Sequence, residues 1–192
     1  MGNFEFEKTL LKDAYLITPT YVGDHRGGFT KIFEKQIFAD TGIDFQLNET
    51  FISISAKNVI RGMHFQLCDP QAKLVSVPVG AVFDVIVDLR MESATYKMWQ
   101  GFEINDENHK VLYVPRGFAH GFLSRRDGTH MLYQCDGKYD KETDTGIRFD
   151  DPNLNIMWPT GHLDQCIHTL TRLPIFHPPT ISLDSLHIPS NS

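Results

Sequence analysis

Cysteine is scarce in this chain, with three among 192 residues, at positions 68, 135 and 166. An odd number at wide spacing fits neither a disulfide framework nor a Cys-x-x-Cys metal knuckle, and no motif marks any of the three as a nucleophile. Reduced thiols in a cytoplasmic protein are the expectation. Basic charge is also in deficit: 18 Lys and Arg face 24 Asp and Glu, for a net charge of −6. Without a basic stripe to track phosphates, nucleic acid is not an expected partner. No apolar run approaches the ~18 residues of a membrane span, and the polar, charged stretch 1–8 is unlike a signal peptide. Internal repeats and low-complexity blocks are missing too before about residue 158.

What the chain has in quantity is short apolar runs with β-branched residues, broken by Gly, Pro, Asp and Asn. Its length suits one domain, and at this size roughly 70% of the unfolded surface can be buried without staples. Strands are expected at 14–19, 28–33, 51–56, 59–64, 73–79, 81–89, 97–104, 111–114, 120–124 and 129–135. In Phe83-Asp84-Val85-Ile86-Val87-Asp88 the charges fall at even positions, although Ile86 shares their face. This period of two, with turns such as Asp127-Gly128, indicates sheet rather than helix. Only 35–41 reads as a helix, and 106–110 as a turn or single helical turn. Many short strands at regular spacing indicate a sandwich or barrel, and a jelly roll enclosing a hollow is the expected all-β solution. The domain is expected over 1–159. Residues 160–192, rich in His, Pro, Ser and Thr, follow as an irregular C-terminal tail of no assigned role.

Four stretches hold residues able to do chemistry. In Arg61-Gly62-Met63-His64-Phe65-Gln66, strict alternation puts Arg61 and His64 on opposite faces, so Gly62 must bend the chain for them to converge. Lys73 opens an otherwise apolar strand, where a solvated edge charge is the ordinary reading. His120 lies between Gly and aromatics in Val114-Pro115-Arg116-Gly117-Phe118-Ala119-His120-Gly121-Phe122, by default a packing position. Tyr133 and Tyr139 stand six apart across a loop, where either suits a core or an interface.

Taken together, the pieces carry more. In order, they are Gly23-Asp24-His25-Arg26-Gly27, Asn58 to Gln66, Gln71-Ala72-Lys73-Leu74-Val75, Gly80 to Arg90, and Val114 to Phe122. Leu132-Tyr133, Tyr139, Asp150-Asp151-Pro152 and Ile156-Met157-Trp158-Pro159 close the series. From about residue 12 to 159 the chain resembles the dTDP-4-dehydrorhamnose 3,5-epimerases, sugar-nucleotide epimerases of the cupin superfamily. The resemblance implies a homodimer of cupin-type jelly rolls (double-stranded β-helices) with no metal and no organic cofactor. The residues agree on metal, since metal-binding cupins offer an HxH pair and here Gln66 stands two after His64.

The resemblance also implies roles. His64 is the base that removes a proton beside a C4 ketone, and Tyr133 is the acid that returns one from the opposite face. Lys73, with His120, steadies the enolate oxygen. Arg26 and Arg61 clamp the phosphates of the nucleotide-sugar substrate, and Tyr139 stacks on the base. Phe29, Glu49 and Gln66 complete the substrate site. A carbon acid beside a ketone is activated only if fixed donors meet the charge as it forms, and histidine titrates nearest neutrality.

Three departures from the family pattern matter. Lys31 stands where an acidic residue is usual, and Glu49 and Phe51 replace a Gln and an Asn. The Asp that orients the base, in a Leu-Ser-x-Lys-Asp pattern after Trp-Pro, is absent; Asp164 is too close to Trp158 and Asp184 too far. Asp84, on a core strand, is the expected substitute. Alternatives are a 3,4-ketoisomerase on a related sugar nucleotide, a catalytically impaired sugar-nucleotide-binding subunit, and a metal-dependent cupin oxygenase.

Overall fold

The computed structural model describes residues 4–160 and the backbone of 167–168. In chain order the elements begin β1 (Glu5–Lys8), β2 (Tyr15–Thr18), β3 (Thr20–Asp24), β4 (Gly27–Lys31), α1 (Lys35–Asp40) and β5 (Leu47–Ser55). They continue β6 (Val59–Gln66), β7 (Lys73–Val79), β8 (Ala81–Asp88), β9 (Trp99–Asn105) and β10 (Val111–Val114). The last are β11 (Phe118–Ser124), β12 (Thr129–Asp136), β13 (Asp144–Gly146) and β14 (Ile167–His168). No helix among the described residues is long and apolar enough to cross a membrane.

The strands form two six-stranded sheets. One runs β1-β2-β10-β7-β12-β5; the other runs β13-β6-β11-β8-β9, with β14 joining β6 in parallel. A separate hairpin pairs β3 with β4. The fold is an all-β jelly roll of the cupin type, as expected.

Three apolar clusters hold the sheets. Val75, Val82, Ile86, Leu112, Phe122 and Met131 fill the space between the inner faces. The outer face of the β6–β11–β8 sheet is covered by Ile147, Phe149, Leu154, Ile156 and Trp158. The outer face of the other is covered by Phe38, Ile43 and Phe45, around α1. Each fully buried side chain of this size is worth about 1.5–3 kcal/mol relative to exposure. Because β8 and β11 are covered on both faces, they carry apolar residues without alternation, which is why Ile86 shares a face with Asp84.

Strands β1, β3 and β13 are not among the expected ones. Glu5–Lys8 has three charged residues of four, Pro19 and Gly23 interrupt the β3 pattern, and Asp144–Gly146 has no apolar residue to announce it. Within the stretch expected to be irregular, Ile167–His168 extends the second sheet beside Val59–Ile60. The remainder of 161–192, with Asp164 and Asp184, lies outside the described residues.

Candidate active site

A cavity of about 440 Å³ opens between the sheets, within the ~300–1,000 Å³ usual for small-molecule sites. One wall comes from β6 and β11, with Arg61, His64, Gln66, His120 and Gly121. The facing wall comes from β5, β7 and β12, with Glu49, Phe51, Ser53, Lys73 and Tyr133; Asp144, on β13 beside β6, and Tyr139 complete the lining.

Strand β6 delivers both Arg61 and His64 because of a bulge. His64 pairs with His120 while Arg61 pairs with Phe122, so three steps on β6 match two on β11. The extra residue restores both side chains to one face. Gly62 takes φ +125°, and a Cβ there would collide with the Gly121 Cα and meet the His120 carbonyl oxygen at 2.9 Å. Only glycine fits such a positive φ and close approach.

The His64 ring makes no hydrogen bond among the described residues. Burial, followed by the charges of Lys73, His120 and Arg61, holds its imidazole down from 6.5 to about 4. It is therefore an uncharged base throughout the neutral range. Asp84, expected to orient His64, is bound elsewhere: His120 Nε2 meets its two carboxylate oxygens at 3.0 and 2.9 Å. The reason is topological, since β11 lies between β6 and β8 and puts His120 nearer. Burial raises the Asp84 pKa, while the His120 contact and the Lys73 charge pull it back.

On the facing wall, Tyr133 is buried, with Phe51 stacked on its ring at 4.6 Å and 14° and His120 edge-on at 5.9 Å. Burial, and then the Asp84 charge, push the phenol above its ordinary value. Lys73 lines the cavity half-buried, with no hydrogen bond or ion pair among the described residues. Arg61 donates from Nε to Ser55 Oγ at 2.9 Å and from its guanidinium to the Ile54 carbonyl at 3.2 Å, which fixes its fork at the rim.

Tyr139 donates to Asp144 Oδ2 at 3.2 Å, and burial and that carboxylate push its phenol up to about 12. Gln66 donates to the Asp69 and Lys138 carbonyls and accepts from the Asp140 amide, so its amide holds the loop that carries Tyr139. Glu49 accepts from Gln71 at 2.5 Å.

Arg26 and Phe29 are not brought to this cavity. They lie on the β3–β4 hairpin, outside both sheets; Arg26 is paired to Asp24 at 2.7 Å and Phe29 is 62% exposed. Among the described residues no group of three His, Cys, Asp or Glu side chains is arranged to hold a metal ion.

The family model for dTDP-4-dehydrorhamnose 3,5-epimerase matches residues 8–172. The chain belongs to that family. Its members are isomerases, and relatives and solved structures agree with the assignment. The dTDP-4-dehydrorhamnose 3,5-epimerase of Methanothermobacter thermautotrophicus is 42% identical over 87% of this chain and 90% of its own. A dTDP-4-dehydrorhamnose 3-epimerase of Streptomyces niveus is 39% identical over 79% of this chain and 74% of its own. Among structures, the dTDP-6-deoxy-D-glucose-3,5-epimerase of Legionella pneumophila, in complex with dTDP-4-keto-L-rhamnose, superposes with a TM-score of 0.83. That structure is 35% identical and covers 87% of this chain and 88% of its own.

Within this epimerase fold, the residues that sequence reasoning missed are Ser53 and Asp144. Ser53 follows Glu49 and Phe51 at a spacing of two along β5, a pattern that could have revealed it. Asp144 stands on a three-residue strand with no such signal.

Proposed function

We propose that the chain inverts a nucleotide-linked 4-keto-6-deoxy sugar at C3, C5 or both, in rhamnose-like deoxysugar biosynthesis. One observation carries the reading: the base and acid candidates stand on opposing sheets across one cavity, His64 on β6 and Tyr133 on β12. Inversion needs a proton acceptor on one face of a carbon and a donor on the other.

In this reading the neutral His64 takes the proton next to the C4 ketone, and the C–H electron pair moves into an enolate. Lys73 and His120, the latter held by Asp84, meet the negative charge at the C4 oxygen. Tyr133 gives its phenolic proton to the opposite face of the same carbon. Solvent then reprotonates the phenolate and takes the proton from the His64 imidazolium. Tyr133 is a weak acid at rest, and the cation just formed on His64, with Lys73, lowers the cost of its ionisation. Fixed side chains supply the charge stabilisation, so the reading calls for no metal or organic cofactor. Arg61 offers a fork to the diphosphate, Tyr139 a ring to the base, and Glu49 an acceptor for a hydroxyl. The Legionella complex supports the substrate class, and the Streptomyces niveus relative keeps a one-centre outcome open.

The test is proton NMR of dTDP-4-keto-6-deoxyglucose in deuterated water. The wild type is expected to erase the C3 or C5 proton signal, and His64→Ala to slow that loss by about 100-fold or more. Absence of exchange with the wild type overturns the reading. The second reading, a sugar-nucleotide-binding subunit without turnover, is favoured by a His64 ring that makes no hydrogen bond among the described residues; it predicts calorimetric binding with no exchange.

The reading extends to a homodimer. Leu47, Ile52 and Ile54 lie exposed on the edge strand β5, and Tyr21, Val22 and Phe29 on the hairpin. Covering these faces with a second copy would also carry Arg26 and Phe29 toward that copy's cavity. Light scattering at the monomer mass would refute it.

A further inference from the structure

The Tyr133 ring is held from two directions. On one side His120 meets it edge-on, and His120 is itself fixed by Asp84. On the other, Phe51 stacks almost parallel, 14° from coplanar. Phe51 reaches this place by register, being the residue directly opposite Tyr133 in the β12–β5 pair. Such a facing pair has its side chains close enough for ring contact. Strand β5 is the sheet edge, and Phe51 remains 47% exposed although it lines the cavity. The core therefore does not demand an aromatic ring here, while the phenol across from it gains a platform.

We propose that Phe51 is a positioning residue for Tyr133, holding the phenol in the orientation from which it delivers its proton. The proposal rests on the reading of Tyr133 as the proton donor. An aromatic pair of this kind changes the population of the stacked ring by about 2- to 12-fold. Phe51 stacks on the proposed donor, whereas the proposed base, His64, sits on the facing sheet. Loss of the ring therefore separates two events that the wild type couples. Proton removal continues, and return to the opposite face fails.

The experiment compares wild type, Phe51→Ala and Phe51→Tyr with dTDP-4-keto-6-deoxyglucose in deuterated water, reading deuterium incorporation and inverted product together. Phe51→Ala is expected to keep exchange within about threefold while inversion falls about tenfold. KM should change less than kcat, and Phe51→Tyr should restore inversion. Equal loss of exchange and inversion in Phe51→Ala, or no loss of either, overturns the proposal. So does failure of Phe51→Tyr to restore inversion. Ring-carbon NMR of 13C-tyrosine-labelled protein without substrate gives a second reading, with Tyr133→Phe to assign the signal. The Tyr133 ring signal should move in Phe51→Ala, and an unmoved signal means that no stack exists. A wild type that exchanges nothing refutes the proposed function, and the tyrosine signal then still decides the stack.

Discussion

The two walls of the cavity are built differently. The β6–β11–β8 wall is buried on both faces, with its two glycines in close approach and Asp84 bonded to a histidine. The β5 wall is a sheet edge whose residues are largely exposed, carrying Glu49 and Phe51 where the family pattern has amides. Packing on both sides leaves the first wall little freedom to vary, since a core transmits any change of volume. The second wall can change with small effects on stability. Proton removal is expected to reside on the first wall, while the second combines proton return, through Tyr133 and its neighbour Phe51, with charge stabilisation by Lys73 and substrate choice at Glu49.

That contrast can be broken. The largest effect should come from Asp84→Asn, which leaves His120 without its anion. Turnover should fall by about 10- to 100-fold with little change in KM, as for other orienting carboxylates. A rise in KM alone would show that His120 serves binding. Tyr139→Ala, on the open side, should raise KM about tenfold through lost stacking and leave kcat within about twofold; a drop in kcat would move Tyr139 into the chemistry.

The smallest effect concerns His64 and pH. Its folded pKa, about 4, lies below the ordinary 6.5. Between these values the unfolded chain binds more protons, so stability falls as pH drops through that window. His64→Gln removes this contribution, and its urea midpoint should decline less than the wild type's between pH 7 and pH 4.5. An equal decline would show that the imidazole is not desolvated.

Much of the sheet framework was legible in the sequence because alternation and Gly or Pro breaks are local signals. Lys73–Val79 and Val111–Val114 fall on the strands expected there. Strands β5 and β11 begin earlier than expected, since pairing with a neighbour decides where a strand starts. The site was legible chiefly through the ordered motifs. His64, Lys73, His120, Tyr133, Arg61 and Tyr139, far apart in the chain, line one cavity, whereas each alone had an ordinary packing explanation.

By itself the sequence determined the all-β class, the family, and the residue types available for proton transfer. Those follow from periodicity and from motifs that a local stretch can hold. Only the tertiary structure decided that a bulge turns Arg61 and His64 to one side, that Asp84 serves His120, and that Phe51 backs Tyr133. It also left Arg26 and Phe29 outside the cavity of their own chain. These outcomes depend on strand register and sheet order, which arise when distant segments pair and which no local pattern encodes.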